Sequence, residues 1–283
     1  LPRSIRVLTS MFHCARWEPN HQHSLVTVVD CATFLEHLHS LETLHELEMS
    51  STPDDERPLA YLLMEQVQFA NILLLNKTDL VTAEEREKIA QFLTLLNPSA
   101  TIVPTQRSAI DVTSLLAERQ YDEAQFSSMP AWAEELAKGP HSEADEYGIN
   151  HFTLRILGRP FHAERLFAFL QNHELFTGVL RAKGCFWTRE DPNTRLDFSL
   201  VGHTGDLIVK HVWAQTGLEV LGSQASRLQE RQPGADVEQG IERLQREAER
   251  LKEAGLWHPL THDRRVEIVF IGDDRMQKEA IQA

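Results

Sequence analysis

Short apolar runs alternate with helical patterns along the first half of the chain. Residues 25–30 (LVTVVD) and 72–75 (ILLL) have the length and character of buried strands. Between them, residues 59–70 repeat apolar positions at helical spacing, and residues 101–105 (TIVPT) predict a third strand. Strands that alternate with helices favour a parallel sheet covered by helices, so we predict an α/β arrangement here.

The helix that follows the second predicted strand carries signals at both ends. Thr82 and Glu85 have the spacing of a capping box, in which two side chains satisfy free backbone N–H groups. Asn97-Pro98 ends this helix, because proline disfavours helical geometry in the residue before it. A further helix is predicted from about Asp111.

The pattern changes after residues 127–150, which mix proline, glycine and acidic residues and predict a linker. Strand patterns then dominate. They fall at 151–157, 178–188, 195–201, 206–214 and 266–272, with helices at about 162–172 and at 237–251. We therefore predict a first domain at 1–135, a linker at 136–150, and an α+β domain with a mainly antiparallel sheet at 151–283. Residues 1–24 show no clear period.

Composition narrows the class of protein. The 283 residues suffice for two domains, and 42% hydrophobic with 25% charged residues is typical of a globular chain. A net charge of −14 argues against broad binding to nucleic acid or anionic membranes, and no apolar run reaches membrane-spanning length. Three scattered cysteines, Cys14, Cys31 and Cys185, give no disulfide framework and favour a reducing compartment. We therefore predict a cytoplasmic protein.

The segment 71–80, NILLLNKTDL, places Asn76-Lys77-Thr78-Asp79 directly after the second predicted strand. Guanine presents its N1–H and 2-amino groups side by side, and a carboxylate such as Asp79 can accept from both. Adenine has neither donor at these positions and would leave the carboxylate unpaired, which is strongly unfavourable. Ligands of open α/β sheets bind at the carboxyl ends of strands. We therefore favour guanine recognition over the alternative, a polar turn without a ligand.

Neighbouring residues complete the predicted base site. Asn76 is expected to contact the O6/N7 edge of guanine and to brace the loop, and the aliphatic stem of Lys77 to lie over the base plane. The loop after the third strand, PTQRSAID, offers Thr105, Gln106 and Ser108 for weaker backbone or hydroxyl contacts.

The residues that hold phosphates in a nucleotide site are not found in this sequence. A phosphate loop requires G-x-x-x-x-G-K-[ST]. The nearest spacing runs from Gly217 to Gly222 and is followed by Ser223 without a lysine, in the second half of the chain. The sequence thus holds the base-reading part of a GTP site without its catalytic part, and no catalytic residue is predicted.

Fourteen histidines raise the question of a metal site, but their spacing predicts none. A small cluster of possible ligands lies near the start of the chain: His13, Cys14, His21 and His23. No pair has the tight spacing of a closed zinc site. His37 and His39 are two residues apart and do not share a helix face. Surface or core roles are the favoured interpretation of each, and the metal ligands stay unknown.

Basic and aromatic residues of the second half form another candidate group. They are Arg159, His162, Arg181, Lys183, Trp187, Arg264 and Arg265. Such a group could face the first domain or a client protein, but structural roles are the favoured interpretation of each residue.

Several segments, in the same order, resemble the CobW-type P-loop GTPases (CobW/HypB/UreG-like), metallochaperones of the SIMIBI class. The second half of their GTPase domain is similar to VTVVDCATFL, LLMEQVQFANILLLNKTDLV and LNPSATIV. Their C-terminal domain is similar to GRPFHAERLFAFL, GVLRAKGCFW and LTHDRRVEIVFIGDD. The resemblance covers residues 25–275. It implies a partial parallel-sheet P-loop GTPase domain followed by a smaller α+β CobW C-terminal domain.

In that family a P-loop, a Cys-x-Cys-Cys motif and a Glu-containing motif precede this region. None is found here, so the resemblance implies an N-terminally truncated fragment. It also implies that the parent protein binds GTP with Mg²⁺, hydrolyses it, and delivers zinc or cobalt to a metalloprotein client. The alternative is a non-catalytic binding or scaffold module derived from such a GTPase. A chain that folds poorly on its own is a third possibility.

We expect the purified chain to bind GTP weakly and not to hydrolyse it, because it lacks the residues that hold the phosphates. Inorganic phosphate released from GTP and Mg²⁺ should not exceed that of a protein-free control. Release above this background would contradict the expectation.

Overall fold

A computed structural model describes residues 24–47, 49, 57–111, 113, 148–231 and 237–283. The described part of the first half forms a three-stranded sheet in the order β1-β2-β3, and both strand pairs are parallel, as predicted. Its elements are β1 (Val26–Asp30), α1 (Phe34–His39), α2 (Leu59–Gln68), β2 (Ile72–Asn76), α3 (Ala83–Leu96) and β3 (Thr101–Pro104).

Strand β2 lies between the other two strands, and all five of its residues are buried. Burial on both faces explains why its sequence is a continuous apolar run rather than an alternating one. In the register, Ile72 lies opposite Val26 on one side and Thr101 on the other, and Asn76 lies opposite Asp30. The register therefore brings two polar residues together at the carboxyl ends of β1 and β2.

Two buried asparagines fix the connections around β2. The side-chain oxygen of Asn71 accepts a hydrogen bond from the backbone N–H of Leu25 at 2.8 Å. The side-chain amide of Asn97, just after α3, donates to the carbonyl oxygens of Val67 and Ala70, each at 2.8 Å. The two bonds of Asn97 satisfy carbonyl groups at the end of α2 and just beyond it, so α2 and α3 are held together where β2 begins.

The second half forms a five-stranded antiparallel sheet in the order β4-β8-β5-β6-β7. Its strands are β4 (Ile149–Leu157), β5 (Val179–Phe186), β6 (Thr194–Val201), β7 (Thr204–Val212) and β8 (Arg265–Asp273). Its helices are α4 (Ala163–Leu170), α5 (Ala214–Arg231), α6 (Val237–Glu253) and α7 (Lys278–Gln282). The predicted α+β class and antiparallel sheet are confirmed.

The sequence pattern does not predict helix α5. Its 18 residues include Gly217 and Gly222, and glycine is a poor helix former. Gly217 lies where α6 approaches, and a Cβ atom there would come within 2.8 Å of the side chain of Leu244. The glycine that weakens the helical pattern therefore permits close packing between the two helices.

Among the other predictions, one is confirmed and two fall on residues that the structure does not describe. The capping box of Thr82 and Glu85 is confirmed, because each hydroxyl and carboxylate bonds the backbone N–H of the other residue. The helix predicted from Asp111 and residues 136–147 of the predicted linker lie outside the described residues, apart from the single positions 111 and 113. In the ranges given above, no helix is long and apolar enough to cross a membrane.

The two halves share one hydrophobic core. Val29 and Leu73 of the parallel sheet belong to the same buried cluster as Val269 and Ile271 of β8. A polar contact joins the halves as well, since the hydroxyl of Tyr61 on α2 donates to the carbonyl oxygen of Ser199 at 3.2 Å. The second half therefore packs directly against the first half and is not a separate body on a tether.

The turn between β6 and β7 packs closely against α1 of the first half. Gly202 has a φ of +52° and its backbone N–H donates to the carbonyl oxygen of Leu180 at 3.0 Å. A Cβ atom at this position would overlap the carbonyl oxygen of Leu38 on α1. The ring of the next residue, His203, packs against that of His39 at a centroid distance of 5.2 Å and a tilt of 44°. Only glycine fits both the backbone conformation and the space.

We expect Gly202→Ala to lower the free energy of unfolding by about 1–3 kcal/mol, because it adds backbone strain and a steric clash between the halves. Denaturant unfolding followed by circular dichroism measures the change. Gly205→Ala is the matched control, since its Cβ would meet Leu200 at 3.5 Å, an ordinary contact. Equal stability of the two variants would contradict the assigned role of Gly202.

Candidate functional site: a guanine-reading loop

Asn76 ends β2 and reaches across to the loop that follows β3. It is 9% exposed, and its Oδ1 accepts a hydrogen bond from the backbone N–H of Ser108 at 2.8 Å. The acceptor half of the amide therefore braces the neighbouring loop. Its Nδ2 group is a hydrogen-bond donor, and the O6 and N7 acceptors of guanine require donors.

Lys77 takes the left-handed backbone conformation, with a φ of +60°, directly after the strand. This conformation is uncommon for residues other than glycine and often occurs at functional turns. It turns the chain sharply from β2 into a short 3₁₀ helix, Thr78–Leu80. The Lys77 ammonium group lies 2.5 Å from Oδ2 of Asp30.

Asp79 lies in that 3₁₀ helix, and its side chain is exposed. An exposed carboxylate one turn beyond the strand is accessible to a ligand that approaches the carboxyl end of the sheet. Its neighbour Thr78 is tied to the loop after β3, since the hydroxyl donates to the carbonyl oxygen of Thr105 at 3.1 Å.

The loop after β3 contacts the loop that follows β2. Arg107 and Ser108 both have positive φ values, of 53° and 54°. The hydroxyl of Thr105 donates to the carbonyl oxygen of Ala109 at 2.8 Å, so it serves the loop itself. Of the three residues predicted here, Ser108 comes nearest to Asn76, Thr105 is buried, and Gln106 is exposed.

The structure adds a residue that the predicted set omits. Asp30 ends β1, and the register places it beside Asn76. Its Oδ1 accepts from the backbone N–H of Ala32 at 3.1 Å, and its Oδ2 faces Lys77. The sequence does show a carboxylate at the end of the first predicted strand. Its partner Lys77 is 47 residues away, however, and only the register of the two strands shows that they meet.

A cavity of about 470 Å³ runs along β1 and α2 and reaches the carboxyl ends of β1 and β2. Its polar lining includes Asp30, Asn76, Lys77 and Ser108, and Phe34 of α1 is among its apolar lining. The volume lies within the range of small-molecule pockets, and apolar walls with a few placed polar groups are typical of them. The predicted residues Asn76, Lys77 and Ser108 therefore line one cavity, and Asp79 lies outside that lining.

No metal site forms among the residues that the structure describes. Those residues contain no group of three or more His, Cys, Asp or Glu side chains placed to hold an ion. His37 lines the cavity, and the ring of His39 packs at a tilt against that of His203. Burial is the main cause that lowers the pKa of His39. The cluster of His13, Cys14, His21 and His23 lies outside the described residues.

Buried cysteines do not supply a reactive group either. Burial, followed by the charge of Asp30, raises the pKa of Cys31 to about 11, so its thiol stays protonated near neutral pH. Burial also raises the pKa of Cys185, on β5.

The basic and aromatic residues of the second half have largely structural surroundings. Arg181 is 4% exposed and donates to the carbonyl oxygen of Leu200 at 2.9 Å and to the hydroxyl of Ser199 at 2.8 Å. Burial lowers its pKa to about 10, which leaves the guanidinium charged at neutral pH. Arg265 pairs with Glu267 at 2.7 Å, and Trp187 is buried in the core. These three residues thus hold the second half together.

Comparison with known proteins assigns both halves to one family. The family model described as "CobW/HypB/UreG, nucleotide-binding domain" matches residues 5–104. The model described as "Cobalamin synthesis protein cobW C-terminal domain" matches residues 149–283. The first match begins at residue 5, well before residue 25, where the resemblance of the individual segments begins.

A curated relative matches almost the whole chain. "Zinc-regulated GTPase metalloprotein activator 1" of Dictyostelium discoideum is 32% identical over 262 residues, which are 92% of this chain and 50% of that protein. The chain thus spans about half the length of this relative.

Among solved structures, the chain is similar to the Zn(II)-bound YjiA GTPase from E. coli and to a Zn(II)-bound triple mutant of YjiA. In each case the sequence identity is 18%, the match covers 99% of this chain and 65% of that chain, and the TM-score is 0.34. This structural similarity is too low to support a conclusion. The two family models and the curated relative instead establish the assignment: the chain belongs to the CobW-type GTPase family.

Proposed function

We propose that the first half of this chain binds the base of a guanine nucleotide. Asp79 accepts the N1–H and 2-amino protons, Asn76 meets the O6/N7 edge, and the stem of Lys77 covers the base plane. Ser108 supports the site through its backbone bond to Asn76. The observation that carries the proposal is the NKTD sequence at the carboxyl end of a buried parallel strand, beside a loop hydrogen-bonded to it.

The oxygen and the nitrogen of the Asn76 side-chain amide have different roles, which supports this proposal. Its Oδ1 is engaged by Ser108, which orients the amide plane and directs the Nδ2 donors away from that bond. Guanine offers two acceptors, O6 and N7, on its outer edge, and donors are the groups that match them. An amide that is already oriented loses little freedom when the base binds, which favours affinity.

The chemistry at Asp79 supports selectivity for guanine over adenine. Adenine would leave the carboxylate without its two donors in a contact from which water is displaced. A site built on hydrogen-bonding groups rejects a ligand that lacks the partners far more strongly than an apolar pocket does. The side chain is exposed before a ligand binds, so it can be reached without rearrangement.

For the longer protein we propose GTP hydrolysis, with Mg²⁺, coupled to delivery of zinc or cobalt to a metalloprotein client. Zinc is the better supported cargo, because the name of the curated relative refers to zinc. The donors that this chain contributes fit the base, and we assign none of its residues to the phosphates or to Mg²⁺. The cytoplasm remains the proposed location, on the cysteine content alone.

We expect Asp79→Asn to shift base preference from guanine toward xanthine by on the order of 100-fold, because an amide donor at this position matches the 2-oxo group of xanthine. Competition of GDP, XDP and ADP against a fluorescent guanine nucleotide, or against its xanthine analogue for the variant, gives the three affinities. Glu84→Gln, at the start of α3, is the control, since it removes an exposed carboxylate nearby.

The control should keep the order GDP tighter than XDP and ADP. An Asp79→Asn variant with an unfolding midpoint like that of the unmodified chain and an unchanged base preference would refute the proposed site.

A further inference from the structure

Lys77 and Asp30 form a contact that the guanine-reading roles do not use. The Lys77 ammonium lies 2.5 Å from Oδ2 of Asp30, and the two residues come from the ends of adjacent strands. The Asp30 side chain is 23% exposed and the Lys77 side chain is 46% exposed. Both residues line the cavity, so the pair is within reach of a ligand and partly shielded from water.

The Asp30 carboxylate is itself held in place. Its Oδ1 accepts the backbone N–H of Ala32, and its own carbonyl oxygen accepts the backbone N–H of Thr33 at 3.3 Å. The backbone N–H of Cys31 donates to the carbonyl oxygen of Asn76 at 3.0 Å, which continues the pairing of the two strands one residue past the end of β1. One carboxylate oxygen is thus fixed by a local turn, and the other is presented to Lys77.

Lys77 is a residue that needs such a partner. A lysine side chain has many rotamers, and an unconstrained one loses much freedom when a ligand fixes it. The backbone at Lys77 is already fixed by its left-handed conformation and by the hydrogen bond from the Leu80 N–H to its carbonyl oxygen at 3.0 Å. An anchor at the far end of the side chain fixes the four methylene groups between these two points.

We propose that Asp30 is a positioning residue for the base site. By holding the Lys77 ammonium at the end of β1, it stretches the aliphatic stem across the carboxyl ends of β1 and β2, where the base plane lies in the proposed function. Asp30 does not contact the nucleotide and acts through Lys77. This inference rests on the proposed guanine site and adds to it a residue from a different strand.

The test is a double-mutant cycle on the whole 283-residue chain, read by GDP and XDP affinities. Asp30→Asn keeps the shape of the side chain and its bond to Ala32 but removes the charge that holds Lys77. It should weaken the binding of GDP by about three- to tenfold. The ratio of GDP to XDP affinity should stay that of the unmodified chain, since Asp79 sets it. Lys77→Met keeps an apolar stem without the ammonium.

The double variant decides whether Asp30 acts through Lys77. We expect Asp30→Asn combined with Lys77→Met to bind GDP no more weakly than Lys77→Met alone, since the anchored group is already absent. Glu36→Gln, an exposed acid on α1, is the charge control and should leave GDP affinity within about twofold. Additive losses would overturn the proposal, because they would mean that Asp30 meets the ligand itself.

Two further outcomes separate this inference from the proposed function. If the unmodified chain binds GDP, Asp79→Asn switches base preference, and Asp30→Asn binds GDP normally, the positioning role is wrong and the guanine site stands. If the unmodified chain shows no preference for GDP over ADP, the proposed function fails, and the role of Asp30 fails with it.

Discussion

The burial of β2 on both faces is the constraint on which the rest of the structure depends. A strand paired in parallel on both sides needs covering layers above and below, so its sequence is apolar until its last residue. Asn76 is the first polar side chain that this strand presents, and it appears where the sheet ends. The change from ILLL to NKTD therefore marks both the edge of the core and the start of the candidate site.

The covering layers come from both halves of the chain. Residues of β8, more than 190 positions after β2, join the buried cluster that contains Leu73 and Val29. The buried Arg181 lies at this junction, and it bonds backbone and hydroxyl oxygens of β6 while Tyr61 of α2 bonds the carbonyl of Ser199. A buried guanidinium without such partners would be costly. Its bonds to β6 keep the second sheet in the register that the shared core needs.

Local patterns in the sequence predicted what local interactions determine. The β2 run, the NKTD turn and the capping box of Thr82 and Glu85 each depend on a few consecutive residues, and each has the expected structure. The pair of Asp30 and Lys77 was not predicted, because it depends on the register of two strands. Helix α5 was missed because its two glycines weaken the local pattern, and the contact that accounts for Gly217 comes from α6, a different element. The core shared by the two halves was also missed. Apolar periodicity shows that one face of a helix or strand is buried, but it does not show which element covers that face.

Helix α1 connects the candidate site to the second half. Its first residues lie at the cavity, which Phe34 and His37 line, and its last residues, Leu38 and His39, meet the β6–β7 turn. The helix has six residues, so these contacts lie within two turns of each other. Close-packed interiors transmit displacement rather than absorb it. The wall of the cavity and the turn that contains Gly202 are therefore parts of one packed unit, joined by the single short helix α1.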